Sequence, residues 1–182
     1  IALNDIKMLN GTFGFAVGSS GRIYRWNGVA WSESTQGSNT YYTVDIYNGT
    51  FGFAGGANNE LRKWNGNSWT SQSGISGTIR DISILNTTLA FASSSNGRIY
   101  RWNGGNGWST DYIGTYSLYT IRVINSTYSI SAGNSRAGLI EWKGSSWISS
   151  FPGYLFQGTS TTGTSCSDAY SCSLTTSIPA LN

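Results

Sequence analysis

Gly21-Arg-Ile-Tyr-Arg-Trp-Asn-Gly28 recurs letter for letter as Gly97 to Gly104. Looser copies lie at Leu61-Arg-Lys-Trp-Asn-Gly66 and Leu139-Ile-Glu-Trp-Lys-Gly144. The tryptophans carry the register outward from these stretches. The first of each copy is Trp26, Trp64, Trp102 or Trp142, spaced by 38, 38 and 40 residues. The second is Trp31, Trp69, Trp108 or Trp147, spaced by 38, 39 and 39. All 8 tryptophans of the chain belong to these two series. A period this regular is the mark of a repeat architecture.

Each unit divides into four short strands. The first is Asp5 to Leu9, matched by Thr43 to Tyr47, Asp81 to Leu85 and Thr120 to Ile124. Its alternation places Ile6, Val44, Ile82 and Ile121, then Met8, Ile46, Ile84 and Val123, on one face. Lys7, Asp45, Ser83 and Arg122 point to the other. Asn10-Gly11 and Asn48-Gly49 then signal a tight hairpin. Strand two is Phe13 to Val17, with Phe51 to Gly55, Leu89 to Ser93 and Tyr128 to Ala132; its Gly and Ala positions predict close approach of neighbouring sheets. Strand three ends on the first tryptophan. A turn at Asn27-Gly28, Asn65-Gly66, Asn103-Gly104 or Lys143-Gly144 leads to strand four, which starts on the second. Four antiparallel strands in about 40 residues make a β-propeller blade, so the class is all-β. Four blades occupy residues 1–153, at about 3–40, 41–77, 78–115 and 116–153.

Residues 154–182 fall outside the period and contain Cys166 and Cys172, the chain's 2 cysteines. So close a pair, with no metal-ligand cluster nearby, is better read as a disulfide than as half a zinc site. Closing that loop contributes about 2 kcal/mol in the chain-entropy model. It implies an oxidising, non-cytosolic setting or a thermophile's interior. This tail is a degenerate fifth blade, an arm appended to a four-bladed ring, or a strand donor through Leu174 to Ile178; the fifth blade is the preferred reading. The chain starts at Ile1, as a processed chain or a piece of a longer one does.

Composition narrows the chemistry. Of 182 residues 10% are charged and 14% aromatic, and there is no His. That removes His-based triads, imidazole proton shuttles and His-ligated zinc. A net charge of +3 is too slight for a nucleic-acid binder, and no apolar run approaches the roughly 20 residues of a membrane span. Nothing implies a metal or a cofactor. Asp5 and Asp81 take equivalent places on strand one, where two carboxylates across a channel could act as acid and base. Their counterparts in the other copies are Thr43 and Thr120, so a glycosidase-like enzyme is the weakest reading.

Two further features recur. Sequons stand at Asn10, Asn48, Asn86 and Asn125, one per repeat and all at the same place. Asn-Gly-Thr also makes a good hairpin without any sugar. The third and fourth copies, however, lose the Gly and keep the Asn and Thr, which points to N-glycosylation. Arg22, Arg25, Arg62, Lys63, Arg98 and Arg101 cluster on strand three beside tryptophans. They read as Arg and Lys packed over Trp. The alternative is a ligand site, with Arg25, Lys63 and Arg101 as the contacts.

The hairpin pattern Gly-x-Ile-x-Arg-Trp-Asn-Gly-x-x-Trp resembles the Asp-box repeat of sialidase-type propellers. Lys63-Trp-Asn-Gly-Asn-Ser-Trp69 is the best copy, with Asn65 in place of the Asp. The resemblance implies a propeller and says little of activity, since the box is a folding element in that family. The family's catalytic Arg triad, Tyr–Glu pair and Asp have no counterpart that the motif places. In composition the chain resembles extracellular glycoproteins of archaea living in hot acid. The expected molecule is a secreted or surface-displayed, N-glycosylated, non-catalytic propeller. It would serve as a structural or adhesive component of an appendage, filament, sheath or virion fibre, self-associating or joined to neighbouring surface proteins. A propeller lectin binding glycans between blades is the alternative.

Overall fold

The computed structural model describes residues 1–134 and 138–150. Cys166, Cys172 and the tail expected as a fifth blade or arm lie outside them. Within them stand four separate four-stranded antiparallel sheets, each a simple meander. Blade 1 is β1 (Leu3–Asn10), β2 (Phe13–Gly18), β3 (Arg22–Trp26) and β4 (Trp31–Thr35). Blade 2 is β5 (Tyr41–Asn48), β6 (Phe51–Gly56), β7 (Leu61–Trp64) and β8 (Trp69–Ser71). Blade 3 is β9 (Ile79–Asn86), β10 (Leu89–Ser94), β11 (Arg98–Trp102) and β12 (Trp108–Ile113). Blade 4 is β13 (Leu118–Asn125), β14 (Tyr128–Gly133), β15 (Leu139–Trp142) and β16 (Trp147–Ser149). No helix among the described residues is long and apolar enough to cross a membrane.

The first strands face one another around the axis: β5 packs along β1, β9 along β5 and β13 along β9. No comparable packing joins β13 back to β1 among the described residues. The blades therefore form an arc. Its hydrophobic core is divided into three, one between each pair of neighbours, as stacked repeats require. Phe15, Val17 and Ile23 of blade 1 meet Tyr41, Val44, Ile46, Ala54, Trp64 and Trp69 of blade 2. Phe53 and Leu61 repeat this against Ile79, Ile82, Trp102 and Trp108. Phe91 and Ile99 do so against Leu118, Ile121 and Trp142. Gly55 shows how tight the approach is, since a Cβ there would lie 2.5 Å from Ile79 Cγ2.

Two sequence expectations change in detail. The apolar face of strand one is buried at Val44, Ile46, Ile82 and Ile121 and partly buried at Ile84 and Val123, but exposed in blade 1, because burial needs a preceding blade. Ile6 and Met8 are 57% and 40% exposed, against 4% for each of their counterparts Val44 and Ile46. The first hairpin is also not the Asn-Gly turn with left-handed φ that the dipeptide suggests. Asn10 pairs across the ladder with Phe13, and Asn48 with Phe51, so each Asn ends a strand and the loop is Gly-Thr. Neither Gly11 nor Gly49 has positive φ, and a Cβ on either would meet nothing within 4 Å. Thr87 and Ser126 can therefore replace that glycine in the later copies.

The second hairpin does need its glycine. Gly28, Gly66, Gly104 and Gly144 have φ of 95°, 99°, 65° and 85°, where a side chain is strained. Gly66→Ala is expected to cost about 1–3 kcal/mol, and Gly49→Ala less than about 0.5 kcal/mol. Denaturant midpoints of the two variants check this contrast.

Candidate interaction surfaces

Strand parity decides where the basic residues of strand three go. Arg25, Lys63 and Arg101 directly precede a tryptophan and so project from the opposite face, toward the next blade. The Arg25 guanidinium lies 5.2 Å from the Phe13 ring centre and 5.4 Å from that of Trp64 across the junction. The Lys63 ammonium is 5.2 Å from Phe51 and 4.8 Å from Trp102. Arg101 is 5.9 Å from Phe91 and 5.3 Å from Trp142. In each junction a Phe also sits between the next blade's two tryptophans. Ring centres lie at 5.0 and 4.9 Å for Phe15, 5.1 and 4.8 Å for Phe53, and 5.7 and 5.1 Å for Phe91. The junction is thus a stack of cation, Phe and paired Trp, favoured by quadrupole geometry as well as by burial. Lys63→Met, which keeps the stem and removes the charge, is expected to lose about 1 kcal/mol of stability by chemical denaturation.

The other three basic residues are tied within the fold. Arg22 donates to Glu33 at 2.6 Å, and Arg98 to Ser76 Oγ at 2.7 Å. Arg62 Nε lies 2.7 Å from both Glu60 Oε1 and the Tyr41 hydroxyl. Burial, and after it the Glu60 charge, pushes the Tyr41 hydroxyl well above its usual range. Of the six basic side chains considered for a ligand site, Arg22, Arg62 and Arg98 are thus hydrogen-bonded within the chain, and Arg25, Lys63 and Arg101 lie against aromatic rings. For a lectin the repeated indole faces are closed at the junctions, since Trp64, Trp69, Trp102, Trp108 and Trp142 are buried there, and Trp31 of blade 1 is the exposed one.

Asp5 and Asp81 are engaged as well. Asp5 Oδ1 accepts the Ile6 amide and its Oδ2 accepts the Val44 amide of blade 2, both at 2.8 Å. Asp81 Oδ1 accepts Ile82 N at 2.9 Å, and its Oδ2 accepts Ile121 N at 2.9 Å and Thr120 Oγ1 at 2.8 Å. Arg122 completes that group at 3.1 Å. Asp45 acts likewise, taking the Ile84 amide at 2.8 Å and pairing with Lys7 at 2.8 Å. These carboxylates stitch each inner strand to the next blade, a role the sequence reading missed. The available signal was a polar side chain recurring at two positions of an otherwise apolar strand.

The four sequons sit on equivalent hairpins at one end of the blades. Asn10, Asn48, Asn86 and Asn125 each turn Oδ1 back to accept the amide and the hydroxyl of the Thr two residues on, at 2.8–3.0 Å. The first tryptophan then donates Nε1 to a hairpin carbonyl: Trp26 to Gly11, Trp64 to Gly49, Trp102 to Thr87 and Trp142 to Ser126. Each sequon Thr also packs under the glycine of the second hairpin. Retention of Asn and Thr in all copies therefore has a structural cause that operates without any sugar.

What sets blade 1 apart is its uncovered face. Trp31 is 42% exposed where its counterpart Trp69 is 7% exposed. Ile1, Leu3, Ile6, Ala16, Tyr24 and Trp31 line an open, mainly apolar concavity of about 460 Å³. Trp26 and Trp31 nonetheless keep the tilted pairing of the buried tryptophans, at 5.4 Å against 5.6 Å for Trp64 and Trp69. The receiving half of a junction is thus formed, and no described residue of another blade packs into it.

No protein-family model matches the chain, and no curated protein sequence matches it either. Solved structures do. YCF48 bound to D1 peptide aligns over 80% of this chain and 54% of its own, with TM-score 0.63 and 17% identity. The fold is that of a β-propeller. The WD40 propeller domain of Doa1 aligns over 85% of this chain and 55% of its own, with TM-score 0.67 and 12% identity. The computationally designed Ika8 protein aligns over 84% of this chain and 49% of its own, with TM-score 0.70 and 9% identity. The chain thus spans about half the length of these propellers.

Proposed function

We propose that this propeller is a non-catalytic structural element of an extracellular or cell-surface protein assembly, N-glycosylated at Asn10, Asn48, Asn86 and Asn125. The observation that carries the reading is the uncovered face of blade 1, an apolar surface that every other blade buries against a neighbour. Engagement of Asp5, Asp45 and Asp81 in blade stitching supports a scaffold over an enzyme. YCF48 was solved with a peptide bound, and protein partners fit that precedent.

The extracellular setting is supported by the recurrence of the sequons at one end and by the Cys166 and Cys172 pair. Sugars there would solubilise a surface poor in charge and leave the blade faces free. Kinship with Asp-box repeats belongs to the same reading. It is supported by Asn65, whose Oδ1 accepts the Asn67 and Ser68 amides at 3.0 and 2.9 Å and so organises the hairpin.

Native material should lose mass on deglycosylation at the four sequon peptides. It should also fractionate with the cell surface or medium, cross-linked to protein. An unshifted mass together with a free cytosolic chain would contradict the proposal.

A further inference from the structure

The two ends of the arc carry complementary halves of one junction. At the blade 1 end, Trp26 and Trp31 hold the receiving pair. At the other end, blade 4 carries an altered donating half: Glu141 stands where Arg25, Lys63 and Arg101 stand, and it pairs with Lys143, which takes over the aromatic contact. Its Lys143 ammonium lies 4.8 Å from the Tyr128 ring centre, as Arg25 and Lys63 lie over Phe13 and Phe51. Ile130 stands where Phe15, Phe53 and Phe91 stand in the other blades, half-buried where those are fully buried. Each internal cation has a tryptophan of the next blade on its far side; for Lys143 no such tryptophan is found among the described residues.

We propose that a second copy of this chain supplies the missing neighbour, with blade 4 of each copy packing on blade 1 of the other. Ile130 then enters the cleft between Trp26 and Trp31 of the second copy, and Lys143 reaches over that Trp26. The inference rests on the reading of the blade 1 face as an assembly surface and names its occupant. An interface of this head-to-tail kind closes only if the rotation fits. The length of the chain suits a half-ring: it spans 54%, 55% and 49% of three larger propellers, and 91% of the computationally designed Ika4 protein. Two copies make a ring of eight blades, within the usual range of four to eight. Closure forms both junctions at once, so the second forms at high effective concentration. Like charges do not oppose it, since Lys7 is held by Asp45 and Arg122 by Asp81.

The purified full chain, made without glycans, is measured by light scattering and sedimentation. The expected result is a dimer. Ile6→Lys and Ile130→Glu each place a charge in both junctions, and each is expected to raise the dimer dissociation constant at least about 100-fold. Both sites are at least partly solvent-accessible in the single chain, so circular dichroism should report folded monomers. Mixing the two variants rebuilds one natural junction and sets the new charges opposite each other in the second, so dimers should return. A monomeric parent chain, as when residues 151–182 cover Ile130 from within, overturns the proposal. So does a dimer indifferent to Ile130→Glu, which would mean blade 1 pairing with blade 1, and so does an open filament. Monomers in vitro from a chain that is glycosylated and cross-linked to another protein in its native setting would remove this inference alone.

Discussion

Replacing Phe53 by alanine is expected to destabilise the chain by about 3–5 kcal/mol, the range for a large aromatic removed from a packed core. Phe53 is fully buried in the middle junction, edge-on to Trp102 and Trp108 at 5.1 and 4.8 Å and to Phe51 at 5.2 Å. Its loss leaves a cavity between Trp102 and Trp108, which the packed sheets can close only in part. Ile130→Ala occupies the same place on blade 4, where no following blade is described. It should cost less than about 1 kcal/mol in a monomer, because little packing is lost. Urea unfolding of the two variants measures the difference. Equal costs would mean that the junction stack does not hold the blades together.

Asp81→Ala is expected to lose about 3 kcal/mol, since it leaves several donors without an acceptor. Oδ2 alone serves the Ile121 amide, the Thr120 hydroxyl and Arg122, all on the next blade. Asp81→Asn should recover little, because its amide nitrogen must face one of two backbone N–H donors, Ile82 or Ile121. Hydrogen exchange at the Ile121 amide should accelerate in both variants. Glu33→Ala is the comparison. The Glu33 carboxyl is held below the usual range by the Tyr24 hydroxyl and by Arg22, but on an exposed edge strand. Removing such an exposed pair should leave the urea midpoint almost unchanged.

The tryptophan spacing made the blades legible, because each Trp plays the same part in every copy and its position is fixed by the hairpin it closes. The strand alternation was legible for the same reason. What escaped reading depends on residues some 38 to 40 positions away. Asp5 and Asp81 look like polar residues turned to solvent until the amides of Val44 and Ile121 arrive across the junction. Ile6 and Met8 cannot be told from Val44 and Ile46 by pattern, since only a neighbouring blade decides which pair is covered.

The sequon hairpins show a further limit. Asn-Gly suggests one turn type, but the ladder places Asn10 opposite Phe13 and moves the loop along by one residue. The same geometry supplies a structural reason for keeping Asn and Thr, so glycosylation must be measured directly. Arg25, Lys63 and Arg101 could have been separated from Arg22, Arg62 and Arg98 by parity alone. The residue beside each Trp faces the next blade, and the basic residue three or, in blade 2, one position earlier has its partner elsewhere.

Four blades form an open arc among the described residues, and its two ends call for a partner. Electron-microscope averages of the purified full chain, viewed down the axis, test it most directly. The expected image is a ring of eight blades built from two copies. A disc closed by four or five blades of a single chain would contradict it.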